Sequence, residues 1–287
     1  MKVVYYLPGT VNPFWREVVS GMESREGIAL EIVSSDNDAG AQLAQLQDFQ
    51  RKSPDAVFVT PVDMKGVSAA CKAILNSGVP IIAIDQNLKP HVTASVISGN
   101  MKGGIMAAAY LAERLEAGSR IVQIRAEQHL PNVVLRGESF ADEIGRRGLL
   151  IVEQLLAESN RSTALAKTAK LLESHIQFDA IFAENDNMAL GAVAALKEAR
   201  RMPRPLVVGF DGINQALEAI RNGSMDATIA QSPATLGQTA VDVLLLAVKG
   251  STFQPVTTVM PRLTTKSDLI SFNPDGVKAG NKASLTQ

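Results

Sequence analysis

A single cysteine, Cys71, stands in 287 residues, so no disulfide can form within the chain. It falls in the apolar stripe of a predicted helix, where buried and inert is its expected state. Histidine is almost as scarce. His91, His129 and His175 stand far apart, without the i, i+4 spacing that puts two ligands on one helix face, which argues against a zinc centre. The 28 basic and 29 acidic residues leave a formal charge of -1 and no surplus of positive charge for a phosphate backbone, so nucleic acid is not an expected partner. The densest basic group, Arg200-Arg201 with Arg204, reads as a solvated helix end. No apolar run approaches the roughly 20 residues of a membrane span. No signal peptide precedes the first strand, which leaves a cytoplasmic protein or one whose leader has been removed.

Several catalytic signatures are missing as well. Neither G-x-G-x-x-G nor G-x-x-x-x-G-K-[ST] follows any apolar strand, so a nucleotide loop is not expected, and Gly103-Gly104 reads as backbone packing at a helix start. No G-x-S-x-G elbow occurs; Gly137-Glu138-Ser139-Phe140-Ala141 falls inside a predicted helix instead of on a strand-to-helix turn. No cofactor is called for.

What is present is alternation. Apolar, β-rich runs at Val3 to Leu7, Leu30 to Ser34, Ala56 to Thr60, Pro80 to Asp85, Arg120 to Ile124, Leu150 to Leu155, Ala180 to Ala183 and Leu206 to Phe210 are separated by segments of helical period. That pattern specifies α/β architecture with parallel sheets, and strands apolar on both faces imply helices on each side. Helices are expected from Pro13, with Asn12 as cap, from about Met101 to Glu116, from Asn132 to Arg147 and from Asn187 to Arg200. The length exceeds the usual single core, so two compact units are expected, the first ending near Ser98-Gly99-Asn100 and the second restarting at Gly118. From Phe272 the tail is polar and rich in breakers, and it reads as a surface extension.

The candidate binding residues sit where strands end. Asp85 closes Ile81-Ile82-Ala83-Ile84 and Asp211 closes Leu206-Val207-Val208-Gly209-Phe210, corresponding positions in the two halves. Either alone could be a helix cap; together with Asn185 they form a set that can accept bonds from several hydroxyls at once. Phe14 and Trp15, in a chain only 5% aromatic, can cover the weakly apolar C–H face of a sugar, with at least one of the two also expected in the core. Arg136, near the start of its helix, offers up to five donors. Gln231, at a possible hinge before Ser232-Pro233, can both donate and accept. Removing Asp211 is expected to abolish binding and leave the fold intact, on the reading that it stands in a wet cleft.

The segments Phe182-Ala183-Glu184-Asn185-Asp186-Asn187 and Val207-Val208-Gly209-Phe210-Asp211-Gly212, with the Asn12-Pro13-Phe14-Trp15 motif, resemble the type I periplasmic sugar-binding proteins, and among them the ribose-binding proteins. The likeness spans Val3 to about Thr265. It implies two Rossmann-like lobes joined by a three-strand hinge, with crossings near Asn100, Gln231 and Met260-Pro261. Residues 1–99 and 232–260 would form the N-terminal lobe, and 100–231 and 261–287 the C-terminal lobe. It further implies ligand contacts from Asn12, Phe14, Trp15, Asp85, Arg136, Asn185, Asp211 and Gln231. Two positions depart from the family pattern: Gln86 stands where an arginine is usual, and Ser159 where an aromatic would cover the far sugar face. The departures point away from ribose, towards another pentose, a hexose, a deoxy sugar or a sugar alcohol. Asn132, with Arg125 or His129 on the same loop, would compensate.

The resemblance implies a monomeric periplasmic receptor, not an enzyme, that closes around a small polyhydroxylated ligand and presents it to a membrane ABC permease. Two alternatives of the same fold are a LacI-type regulatory domain, for which a helix-turn-helix would have to precede Val3, and a sensor that engages a membrane kinase. A third is sugar chemistry with Asp85 and Asp211 as an acid/base pair.

Overall fold

The computed structural model describes residues 1–271, so the extension expected beyond Phe272 lies outside the described residues. Strands run β1 Lys2–Leu7, β2 Ala29–Ser34, β3 Ala56–Val59, β4 Ile81–Ile84, β5 Ala94–Ser98, β6 Arg120–Arg125, β7 Leu150–Leu156, β8 Ala180–Ala183, β9 Leu206–Asp211, β10 Ala227–Ala230, β11 Val256–Val259 and β12 Arg262–Thr265. Helices run α1 Pro13–Glu23, α2 Ala39–Gln47, α3 Met64–Asn76, α4 Asn100–Ala112, α5 Pro131–Arg146, α6 Arg161–Glu173, α7 Asp186–Glu198, α8 Asn214–Arg221, α9 Pro233–Val248 and α10 Lys266–Ser271.

The strands assemble into two six-stranded sheets, ordered β11-β5-β4-β3-β1-β2 and β12-β10-β9-β8-β6-β7. Every pairing is parallel except β10 with β12. In each sheet the strand that comes first in sequence after the chain enters it lies inside its successor, so the order reverses beside β1 and beside β6. Such a reversal opens a crevice at the carboxyl ends of the strands. The chain leaves the first sheet after β5, returns to it with α9, which packs on α1, and leaves again between β11 and β12.

Burial explains the central strands. β3 (AVFV), β4 (IIAI) and β8 (AIFA) are buried at every position, as helices on both faces require. α1 starts where Asn12 accepts the Phe14 N–H and Pro13 takes the first turn, and it buries Phe14, Val18, Gly21 and Met22. Its contact with α9 is close: a Cβ on Gly237 would lie 2.1 Å from the Val18 carbonyl oxygen. Gly103 is equally constrained, since a Cβ there would lie 2.5 Å from the Phe210 ring, so the Gly103-Gly104 pair is a packing device. Cys71 is buried in α3.

Sequence periodicity left β5, β11 and β12 without assignment. β5 (ASVIS) alternates serine with apolar residues, and β11 (VTTV) and β12 (RLTT) are four-residue, threonine-rich segments at sheet edges. Their extended form comes from pairing with strands distant in sequence. Helix boundaries shift by one to four residues: α4 stops at Ala112, where the turn that follows brings Leu115 back against the core, and α7 begins at Asp186 because Asn185 caps it. Among the described residues no helix is long and apolar enough to cross a membrane.

Candidate functional site

The carboxyl ends of the two sheets enclose a cavity of about 340 Å³. From the first sheet, the loop after β1 brings Asn12, the first turn of α1 brings Phe14 and Trp15, the loop after β3 brings Thr60, and the end of β4 brings Asp85 and Gln86. The Phe14 and Trp15 rings meet edge to face, 4.9 Å apart at 89°. Phe14 is part of the core while touching the cavity, and Trp15 is half-buried. The pair thus forms a stiff apolar wall.

From the second sheet come Arg136 in the first turns of α5, Ser159 after β7, Asn185 after β8, Asp211 at the end of β9 and Gln231 after β10. Arg136 is fixed from several sides. Its Nε and Nη2 donate to Asn100 Oδ1 at 2.9 and 2.7 Å, its Nη1 donates to the Glu184 carbonyl oxygen, and its guanidinium lies 3.7 Å over the Phe210 ring. Asn185 Oδ1 accepts the Met188 N–H at the start of α7, and its Nδ2 donates to Ser159 Oγ at 2.6 Å, which in turn donates to Glu127 at 2.6 Å. Gln231 Nε2 donates to Asp211 Oδ1 at 2.6 Å.

Both strand-end carboxylates have left-handed backbone, Asp85 at φ 68° and Asp211 at φ 124°. A non-glycine residue rarely holds such a conformation, which costs on the order of 1–3 kcal/mol and persists where the surroundings over-determine it. Here β4 and β9 occupy the same place in their respective sheets. Burial pushes the Asp85 carboxyl above its ordinary range, with Arg136 pulling it back. Burial raises Asp211 as well; Arg136 opposes the shift, and repulsion from Asp186 and Asp85 adds to it.

Three buried oxygens of residues that line the cavity, Asp85 Oδ1, Gln86 Oε1 and Gln231 Oε1, accept no hydrogen bond among the described residues. A buried acceptor without a donor is costly, so a ligand that brings donors is favoured there. The lobes also touch directly. Asn132 Nδ2 donates to the Asp85 carbonyl oxygen, His129 Nε2 lies 3.2 Å from the Val62 carbonyl oxygen, and Asn214 Nδ2 donates to Glu17 at 3.5 Å.

The structure brings Asn12, Phe14, Trp15, Asp85, Gln86, Arg136, Ser159, Asn185, Asp211 and Gln231 to one cavity, with His129 at its wall. Asn132 is not on that wall; it bridges the lobes through Asp85. Arg125 is turned away, its Nε 2.9 Å from Glu184 Oε1. Sequence reasoning passed over Glu127, Thr60 and Asn100, whose roles depend on partners remote in sequence. It also passed over Asp186. That buried carboxylate takes the N–H groups of Gly212 and Ile213 at 2.7 and 2.9 Å and the Thr228 hydroxyl at 2.7 Å, and so holds the Asp211 loop in place. An acidic residue in the first turn of a helix that follows an apolar strand was the available signal for it. Among the described residues no group of His, Cys, Asp and Glu is suited to a metal ion.

Comparison with known proteins fits this geometry. Residues 3–252 match the family model described as a periplasmic binding protein domain. The ribose import binding protein RbsB of Bacillus subtilis is 31% identical over 259 residues, covering 89% of this chain and 84% of the relative. The crystal structure of the Caulobacter myo-inositol binding protein, bound to myo-inositol, superposes with a TM-score of 0.87 at 28% identity, covering 94% of this chain and 95% of that one. An ABC transporter solute binding protein of Bacillus halodurans, also with bound myo-inositol, gives a TM-score of 0.86 at 26% identity, covering 94% of this chain and 96% of that one. The chain therefore belongs to the periplasmic binding protein family, as a type I member of ribose-binding-protein-like architecture.

Proposed function

We propose that this protein is a solute receptor of an ABC importer, which closes two lobes around one small polyhydroxylated molecule and presents the closed form to a membrane permease. The observation that carries the reading is the cavity itself: both sheets end in it, and its buried unpaired oxygens are complementary to hydroxyl donors. At about 340 Å³ it stands at the small end of ligand pockets, in keeping with a single sugar or cyclitol. The relatives support the ligand class, being named for ribose and myo-inositol. The lobes divide as residues 1–99 with 232–260 and 100–231 with 261–271. Closure is a population shift driven by contacts to both lobes at once. The receptor binds without turnover, acts as a monomer and works in the periplasm.

A thermal-shift screen of pentoses, hexoses, deoxy sugars and cyclitols tests the proposal. A ligand at a hundred times its dissociation constant stabilises by about 2.7 kcal/mol, and a rise of several degrees with one of them is expected. A flat screen, repeated by calorimetry, would defeat it.

A further inference from the structure

The charges on the cavity wall are unbalanced. Asp85, Glu127, Glu158 and Asp211 face Arg136, which is the one permanently cationic side chain among the described residues lining the cavity. Its guanidinium is already engaged by Asn100 and the Glu184 carbonyl oxygen, and it lies within 3.7 Å of Asp211. On the opposite lobe Asp85 has no ion pair among the described residues, and its buried Oδ1 has no donor among them.

The unpaired atoms agree with that imbalance. Gln86 is 1% exposed and Gln231 2% exposed, and each leaves its Oε1 unpartnered at the cavity. With Asp85 Oδ1 they make three acceptors. A neutral polyol brings a donor and acceptors on every hydroxyl. An ammonium brings three donors, no acceptor and a positive charge, and a charge-assisted bond to a carboxylate is stronger than a neutral one. Phe14 and Trp15 supply the apolar wall that would take the carbon frame of the same molecule.

We infer that the ligand of this receptor carries a protonated amine on its polyhydroxylated frame, an amino sugar or an amino cyclitol, with the ammonium held by Asp85 Oδ1 and Gln86 Oε1. The inference rests on the receptor reading and narrows it.

Matched probes test it by calorimetry at neutral pH: glucosamine, galactosamine and mannosamine, each against its parent hexose and its N-acetyl form, and amino-deoxy inositols against myo-inositol. In at least one set the amine is expected to bind about tenfold or more tightly than both the parent and the uncharged amide. Gln86→Arg places a cation beside Asp85 and is expected to cut the ratio of amine to parent affinity by about tenfold or more, whatever it does to binding of the parent itself. Parents that bind as tightly as their amines, in wild type and variant alike, would overturn the amine assignment and leave the sugar-receptor reading standing. No binding by any member of any set would overturn the amine assignment, and together with a flat screen of pentoses and deoxy sugars it would remove the receptor reading as well.

Discussion

Arg136 Nη1 stops 3.7 Å short of Asp211 Oδ1, beyond hydrogen-bond reach, although both side chains are almost wholly withdrawn from solvent. Each is held by a different partner, the guanidinium by Asn100 and the Phe210 ring and the carboxylate by Gln231. Neither has collapsed onto the other. Both keep hydrogen-bonding capacity on the cavity side, where a ligand oxygen can join them.

Asp211→Ala is expected to weaken ligand binding by roughly 10- to 100-fold, the scale of a bond to a charged group. It should also lower stability by about 1–3 kcal/mol, because Gln231 Nε2 loses its acceptor and Arg136 its nearest carboxylate. The sequence-based expectation of an unchanged fold took the residue to be in a wet cleft, whereas Asp211 is buried and bonded to Gln231. Calorimetric titration and a denaturant series measure the two effects separately; unchanged binding would take Asp211 out of the site.

The single tryptophan is a built-in probe. Trp15 is half-buried on the cavity wall against Phe14, so its emission should shift on saturation with the true ligand. An unchanged spectrum at saturation would mean that the ligand does not reach this wall.

Asn132→Ala removes the bond from α5 to the Asp85 carbonyl oxygen while leaving the cavity wall in place. Loss of about 1 kcal/mol from the closed form predicts about fivefold weaker binding. X-ray scattering should find the unliganded variant more expanded than wild type, and equal radii would deny Asn132 a part in closure.

Gly237→Ala places a Cβ 2.1 Å from the Val18 carbonyl oxygen and 3.0 Å from the Met22 nitrogen, so α1 and α9 must separate. Overpacking of this kind costs typically about 1–3 kcal/mol. The midpoint of denaturant unfolding should fall accordingly; a midpoint equal to wild type would mean that the two helices part without cost.

Burial raises Asp186 above the ordinary carboxylate range, against the donors Thr228, Ile213 and Gly212 that favour its charged form. From about pH 4 upward the native state then holds more protons than the unfolded state, so stability falls as pH rises through that window. Asp85 and Asp211 shift in the same direction. Denaturant midpoints between about pH 4 and 7 should decline in wild type and decline less steeply in Asp186→Asn. Equal slopes would show that Asp186 does not contribute to the linkage.

Composition and periodicity alone determined much of this protein. Strands such as Ile81–Ile84 and Ala180–Ala183 are apolar at every position because helices cover both faces, and that signal is local. The strand ends were equally legible: a polar residue that breaks an apolar run, as Asp85 and Asp211 do, must emerge at the carboxyl edge of a sheet. The edge strands were not legible, because Val256–Val259 and Arg262–Thr265 become extended only through hydrogen bonds to partners far along the chain. Tertiary structure alone decided which polar groups already have partners. Arg125 was a candidate ligand contact until Glu184 was found against it, and Asn132 proved to bridge the lobes instead of lining the cavity. Whether an acceptor such as Gln86 Oε1 is left free for a ligand depends on every neighbour in three dimensions, and no spacing along the chain encodes that sum.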